Sequence, residues 1–321
     1  MCLFPVIRPI FRKDGRYDGC VITKCGKCVE CLKDRQRDWR FRLSFEFNRP
    51  GQYTYLVTLT INNPSLYHFR SCALCSNKME LCKDKLTPVV ALQKFHKRLR
   101  KALAPIKLRY FVVSEYGEHT QRLHFHCLYF TDKKLIPSKF NEIIAKKWTY
   151  GFTSCKQVSD YKGINYCTKY LVQPAVEGGW FPRIFLTSKN PAIGASKEIL
   201  SKIKNNVPDL QKDSRYPIDG YRIPIPRLLL NKLLHFNERQ NRKRTANRLA
   251  EDAAREFFDQ NGINGYTPLS CASGLTTYDQ YVAFKYLNDS KINKYKVPVP
   301  ICIVPVNSHF TYFPFNLIKH E

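Results

Sequence analysis

Two histidines, His124 and His126, are separated by one residue within residues 122–130, which read Arg-Leu-His-Phe-His-Cys-Leu-Tyr-Phe. In a β-strand, side chains at positions i and i+2 lie on the same face, so the two imidazoles would share one face and the apolar side chains the other. Neutral imidazole is a common metal ligand. The same pattern also fits an ordinary polar strand face, and the spacing alone does not decide between the two.

A carboxylate is available to complete a metal site. The stretch that precedes the histidines is predicted to be a second strand of a hairpin, and it carries Glu115 near its end,. We expect Glu115 on the same face as His124 and His126, where the three would suit Mg²⁺ or Mn²⁺ with positions left open for a phosphate. Glu118 and His119 are nearer in the sequence, but they fall in the predicted turn and rank lower.

Tyr166, Lys169 and Tyr170 occur at i, i+3 and i+4, which places all three near one face of a helix,. Tyrosines at this spacing most often pack in a core or an interface. Next to a metal site they suggest a different chemistry, in which a phenolate attacks a DNA phosphate and leaves a 5′-phosphotyrosine and a free 3′-hydroxyl. Lys169 or the metal would stabilise the phenolate or the charge on the phosphate. The three motifs together therefore predict DNA nicking.

The elements around these motifs predict an α+β fold. Apolar and aromatic periodicity predicts helices and strands in the order αβαββαβα,. The strands are predicted at 53–61, 108–116, 122–130 and 150–158, and the helices at 33–47, 87–103, 138–148 and 160–172. This order favours a central antiparallel sheet with helices packed on one face. Residues 68–86 are predicted to be a loop or insertion.

Three segments are expected along the chain. Residues 1–50 form a cysteine-rich segment and a basic helix, 51–175 the core with the motifs, and 176–321 an accessory region. The accessory region contains the longest helical stretch, residues 226–260, and is expected to be a helical extension.

The net charge is +27, from 53 Lys and Arg against 26 Asp and Glu. A field of this size favours a polyanionic partner, and nucleic acid is the first expectation. The basic runs 33–42 and 237–248 could be ordinary solvated helix faces, but the overall excess favours phosphate contacts. Four aromatic residues are predicted to stack on the bases of a single strand: Trp39, Phe41, Tyr116 and Trp148. No apolar run approaches the roughly 20 residues of a membrane span and no signal peptide is evident, so a cytoplasmic protein is expected.

The thirteen cysteines include two groups with metal-binding spacing. Cys25, Cys28 and Cys31 follow a Cys-x-x-Cys-x-x-Cys pattern, and Cys72 and Cys75 supply a further Cys-x-x-Cys. This spacing is typical of structural zinc sites. The alternative is a set of buried or surface thiols, and spacing alone does not identify which four would bind.

Several segments together resemble a known family. Residues 55–63, 122–126 and 166–172 resemble the three motifs of the HUH endonuclease superfamily, and in particular of the replication initiators of microviruses, the gokushovirus-like single-stranded DNA phages. Residues 25–31 and 188–194 are also similar to the microviral branch. The resemblance implies an HUH or RRM-like palm, with Tyr166 as the first nucleophile and Tyr170 as the second.

The resemblance implies a metal-dependent, site-specific single-stranded DNA nickase and strand transferase that starts rolling-circle replication. Its expected partners are the replication origin and a host helicase and polymerase, in the cytoplasm of a bacterial host. The oligomeric state is not predicted. Two alternatives stay open: a relaxase or transposase with the same site, and a zinc-stabilised DNA-binding or packaging protein without nuclease activity.

Overall fold

The computed structural model describes residues 6–11, 14–77, 86–117, 122–172, 181–218, 220–260, 302–306 and 309–313. They belong to two compact units: Met1–Asp34, Gln211–Asp213 and Leu234–Glu321 form the first, and Arg35–Leu210 and Ser214–Leu233 form the second. The strands are β1 Val6–Phe11, β2 Tyr17–Thr23, β3 Tyr53–Thr60, β4 Leu108–Tyr116, β5 Leu123–Thr131, β6 Thr153–Val158, β7 Phe185–Thr187, β8 Arg215–Ile218, β9 Tyr221–Pro224, β10 Cys302–Val306 and β11 His309–Phe313. The helices are α1 Val29–Phe47, α2 Asn63–Asn77, α3 Pro88–Leu103, α4 Pro137–Lys147, α5 Lys162–Lys169, α6 Lys197–Asn206, α7 Arg227–Leu233 and α8 Phe236–Gln260.

The second unit is built on a five-stranded sheet in the order β6-β3-β5-β4-β7. Every adjacent pair is antiparallel. The three inner strands are rich in β-branched and aromatic residues, which suit a pleated and buried surface. The predicted α+β class with a central antiparallel sheet is confirmed.

Helices cover both faces of this sheet, so the prediction of helices on one face is wrong. On one face, Phe125 and Tyr129 of β5 share a core with Phe95 of α3 and Phe140 of α4. On the other face, residues such as Leu128 of β5 pack with α1 and α5. The strand β5 is buried along almost its whole length, as expected for a strand that is covered on both sides,.

The segment predicted as a loop at 68–86 begins inside a helix, α2. Asn62 and Pro64 end strand β3, as predicted, and they also start this helix, because the Asn62 side chain accepts a hydrogen bond from the Ser65 amide at 2.9 Å. Asparagine before the first turn and proline within it are favourable helix starts. Residues 78–85 lie outside the described part of the chain.

The segments outside the motifs contain elements that were not predicted. They are the β1–β2 hairpin, strand β7, helix α6 and the β8–β9 hairpin. The helical stretch at 226–260 is present as two helices, α7 and α8. Because β7 pairs with β4, the sheet takes its fifth strand from beyond residue 175. The division of the chain near residue 175 stays an expectation.

Three of the four aromatic residues predicted to stack on bases are core residues. Trp39, Phe41 and Trp148 are 8%, 4% and 1% exposed. Their apolar rings stabilise the packing between the helices and the sheet, so the prediction is wrong for these three. Tyr116 is half-buried, and its hydroxyl accepts a hydrogen bond from the Phe181 amide at 2.9 Å. Across the described ranges, no helix combines the length and the apolar character needed to cross a lipid bilayer.

Candidate active site

The hairpin of β4 and β5 places the predicted metal ligands on one face. Glu115 is directly opposite His124 in the register of the two strands, and Val113 is opposite His126. On the other side of β5, Thr60 and Thr58 are the partners of the two histidines. Opposed residues of antiparallel strands share a face, so the predicted arrangement of the three ligands is present.

His126 is held between a carboxylate and a hydroxyl. Its Nε2 lies 2.6 Å from Oε2 of Glu115, and its Nδ1 lies 3.4 Å from Oγ1 of Thr58. A carboxylate only accepts, so Nε2 carries the proton in this arrangement, and the Thr58 hydroxyl donates to Nδ1. The same hydroxyl can accept from Nδ1 instead, which would release Nε2 to bind a metal.

Burial keeps the His126 ring neutral. The side chain is 6% exposed, and this burial lowers the pKa of His126 below its usual value of 6.5. The hydrogen bond and the charge of Glu115 oppose the shift, and the nearby His124 adds to it. The ring is therefore uncharged at neutral pH, and neutral imidazole is the form that binds metal ions.

The donor set fits a hard divalent cation. Cis ligands of an octahedral Mg²⁺ lie about 3 Å apart, because each metal–oxygen bond is about 2.1 Å long. The 2.6 Å contact between His126 and Glu115 is close to that separation, and His124 is the cross-strand neighbour of Glu115. His126, Glu115 and His124 are the residues that would hold such an ion.

Helix α5 brings both predicted tyrosines to His126. The Tyr170 ring stacks on the imidazole with centroids 4.6 Å apart and planes at 11°. The Tyr166 ring meets the imidazole edge-on at 5.0 Å, and the two tyrosine rings are 5.2 Å apart. Residues predicted from two motifs forty positions apart therefore form one cluster, in which the exposed Lys169 has its Nζ 5.9 Å from the Tyr170 ring centroid.

The two tyrosines differ in accessibility. Tyr166 is 41% exposed, whereas Tyr170 is 3% exposed. Burial raises the pKa of Tyr170 above its usual value of 10.0, and the hydrogen bond to Tyr166 and the negative charge of Glu115 raise it further. A phosphate can reach the Tyr166 hydroxyl from solvent, while the Tyr170 hydroxyl is held in its protonated form.

The position of α5 depends on contacts that the sequence did not indicate. From α1, Gln36 donates to the Thr168 carbonyl at 3.2 Å and Arg40 donates to the Thr168 hydroxyl at 3.4 Å. Gly163 allows α5 to lie against β6, because a Cβ at this position would be 2.8 Å from the Val158 side chain. The only signal for the first contact is the i, i+4 spacing of Gln36 and Arg40, which is common on helices.

A second candidate metal centre lies in the first unit. The thiols of Cys25, Cys28 and Cys31 are within 4.8 Å of one another and could hold a metal such as zinc. The Cys25 sulfur accepts hydrogen bonds from the backbone amides of Lys27 at 3.4 Å and Cys28 at 3.2 Å. The intervening Gly26 has φ +74°, a conformation that favours glycine,.

The other predicted thiol pair is on α2. Cys72 is buried in the second unit, where its sulfur lies 3.7 Å from Nε2 of His68. The side chain of Cys75 lies outside the described residues, as do Glu118 and His119. A part for Cys72 and Cys75 in a metal site stays a prediction.

Comparisons with known proteins match the segment that holds this site. Residues 54–175 match the family model of the replication-associated protein ORF2. Replication-associated protein ORF2 of Spiroplasma virus 4 is 26% identical over 160 residues, which is 46% of this chain and 46% of that protein. Replication-associated protein ORF4 of Chlamydia phage 1 is 23% identical over 236 residues, which is 65% of this chain and 54% of that protein.

The chain thus spans about half the length of the curated relatives that it matches. No solved structure matches it significantly. The matched segment contains Glu115, both histidines and both tyrosines, and through it the chain belongs to the replication-associated protein ORF2 family.

Proposed function

We propose that this protein is a metal-dependent, site-specific nickase and strand transferase for single-stranded DNA, which initiates rolling-circle replication of a small circular phage genome. The observation that carries the proposal is the contact of the exposed Tyr166 with His126, which is itself bonded to Glu115. The family match supports a role in replication, because it covers the same residues.

The proposed reaction exchanges one phosphate ester for another. The Tyr166 oxygen attacks the scissile phosphorus, the bond from phosphorus to the 3′-oxygen breaks, and the phenolic proton ends on the released 3′-hydroxyl. The 5′ end stays linked to Tyr166, so the ester energy is retained for rejoining. A bound Mg²⁺ or Mn²⁺ would polarise the scissile phosphate. Lys169, one turn from Tyr166 on an exposed face, would balance charge on the phosphate.

Tyr170 is proposed as the second nucleophile. Its ring already stacks on His126, so a second phosphate would be attacked beside the same ligands. One tyrosine would cut the origin to start synthesis, and the other would cut the regenerated origin while the first strand is rejoined. The proposed setting is the cytoplasm of a bacterial host, with host helicase and polymerase acting on the released strand.

We predict that His126→Ala lowers nicking about 10³-fold or more, because it removes a metal ligand and the support of Glu115. The measurement uses single-stranded oligonucleotides that tile the phage genome, incubated with Mn²⁺, and detects the covalent protein–DNA adduct on denaturing gels. The matched control is His235→Ala, which removes an exposed imidazole from the other unit. Since the pKa of His126 is lowered, wild-type nicking should be constant through pH 6.5 and should fall only when the pH drops through that lowered value.

If the wild-type protein forms no adduct with any tile, the nuclease proposal is wrong. Bound zinc and DNA binding without cleavage would then favour the DNA-binding or packaging alternative. Cleavage confined to DNA other than the phage origin would favour a relaxase or transposase.

We further propose that Cys25, Cys28 and Cys31 bind a structural zinc ion. The Sγ atoms of Cys25 and Cys31 are 3.9 Å apart. Tetrahedral zinc with bonds of about 2.3 Å requires sulfurs about 3.8 Å apart. Cys28 and Cys31 lie at the N-terminus of α1, where the helix dipole favours thiolates,. The ion would fix the start of the helix that continues toward α5.

The zinc prediction is about one Zn²⁺ per chain in wild-type protein and a loss of at least tenfold in zinc content in Cys28→Ser, because three-thiolate affinity depends on each ligand. Zinc is measured by mass spectrometry of the metal, and Co²⁺ substitution should give the visible bands of tetrahedral thiolate coordination. Cys155→Ser is the control, since Cys155 is a half-buried cysteine in β6. Equal zinc in both variants would contradict this assignment.

A further inference from the structure

A strongly basic cavity of about 980 Å³ lies in the second unit, where the start of β4 meets the end of β7. Five of its lining residues are cationic, and none of the described lining residues is acidic. The cations are Arg49, Arg100, Lys107, Arg109 and Lys189. The cavity also includes residues 188–191, the start of a segment that the resemblance singled out and the proposed chemistry does not use.

A buried ion pair fixes the loop that forms one wall. Glu46 is fully buried, and its two carboxylate oxygens accept from Arg109 at 2.7 and 3.1 Å. Arg109 also donates to the Pro191 carbonyl at 2.9 Å, and Glu46 accepts from the Gly194 amide at 2.6 Å. The loop backbone is therefore tied at both ends to one ion pair.

The same loop is pressed against α1. Gly194 has φ +69°, and a Cβ there would lie 2.4 Å from the Arg42 carbonyl oxygen. Arg42 donates from Nε to the Ile193 carbonyl at 2.9 Å. This packing leaves Lys189 and Asn190 exposed at the cavity on a fixed backbone, which reduces the entropy lost when they bind a ligand,.

The cavity retains uncompensated positive charge. Arg109 is neutralised by Glu46, and Arg49 lies 3.8 Å from the Glu198 carboxylate. Arg100 is held over the Tyr110 ring, 5.0 Å from its centroid, and donates to the Ser188 hydroxyl at 3.4 Å. Nearby, the Asp132 carboxylate accepts from the Lys107 backbone amide at 2.9 Å.

The cations of Arg100, Lys107 and Lys189 thus face one concave surface with no acidic lining residue. A single carboxylate nearby is too little to neutralise them, so the surface favours a ligand with several negative charges. A nucleic-acid backbone is such a ligand.

The cavity is at the far end of β4 from the candidate active site. Arg109 and Glu115 are six residues apart on this strand, and six residues of a β-strand span about 20 Å. A nucleic-acid strand covers that distance in about six stacked nucleotides, or fewer when it is extended.

We propose that this cavity binds the backbone of single-stranded DNA some nucleotides away from the nick. The lining rings Tyr110 and Phe185 favour a single strand over a duplex, because unpaired bases can stack on aromatic side chains,. The location relative to a nick rests on the proposed function, whereas the binding itself does not. The cavity would hold the DNA in register while the phosphate at Tyr166 is exchanged.

The test is metal-free binding of fluorescent oligonucleotides to Tyr166→Phe protein, which separates binding from cleavage. The affinity should rise in a step once the oligonucleotide spans about 20 Å beyond the active site. The double variant Lys107→Gln/Lys189→Gln should remove this step and lower the slope of log affinity against log salt by about 1.4, for two lost contacts with a single strand. Short oligonucleotides should bind both proteins equally.

The matched control is Lys139→Gln/Lys146→Gln, which removes the same charge from exposed positions on α4. Equal affinity and salt slope in the two double variants would overturn the proposal. So would a loss confined to duplex DNA, which would assign the cavity to a double-stranded segment. Failure of nicking in the wild type would leave these binding results unaffected.

Discussion

Tyr166→Phe is expected to lower formation of the covalent protein–DNA adduct about 10³-fold, whereas Tyr170→Phe should retain the first cut. The reason is the difference in exposure, 41% for Tyr166 against 3% for Tyr170. Phosphate can reach only the first hydroxyl without a rearrangement. The measurement is gel retardation of an oligonucleotide labelled at its 3′ end, since the 5′ side of the nick becomes attached to the protein.

The residual activity of Tyr166→Phe identifies its source. Burial and the charge of Glu115 raise the pKa of Tyr170, so attack by this residue should become faster as the pH increases. Tyr170→Phe should cut once but fail to close circles, because closure needs a second nucleophile. Equal cutting rates in the two variants would contradict the difference in roles, and circle closure by either variant would contradict alternation between the tyrosines.

The site was predictable where it depends on local periodicity. Alternation in β5 assigns His124 and His126 to one face, and a short hairpin turn places Glu115 opposite His124,. Helical spacing does the same for Tyr166 and Tyr170. Each of these relations involves residues that are close in the sequence, where geometry permits few arrangements. The contact between the two motifs was inferred from chemistry, and the ring distances agree with it.

The parts that were missed depend on pairs distant in sequence or on residues with two roles. Gln36 and Thr168 are 132 positions apart, and no local pattern relates them. Asn62 both ends a strand and caps a helix, so the turn signal concealed α2. Aromatic residues such as Trp148 serve equally in a core and in base stacking, and only the packing on both sides of the sheet assigns them to the core.

Glu46 is one of these long-range residues, and Glu46→Ala is expected to destabilise the second unit by about 3 kcal/mol or more. Arg109 would keep its charge in a largely buried position, with a side chain 14% exposed. The Gly194 amide would also lose its acceptor. Urea denaturation followed by tryptophan fluorescence measures the change, because Trp39 and Trp148 both lie in this unit.

The double variant Glu46→Gln/Arg109→Met distinguishes the charge effect from simple loss of packing. It leaves no unpaired charge inside the unit, so it should be less destabilised than Glu46→Ala. Glu198→Gln, which removes an exposed partner of Arg49, should cause no measurable change,. If Glu46→Ala unfolds at the wild-type urea concentration, the ion pair does not hold the 188–194 loop. The fixed placement of Lys189 at the basic cavity would then lose its physical basis.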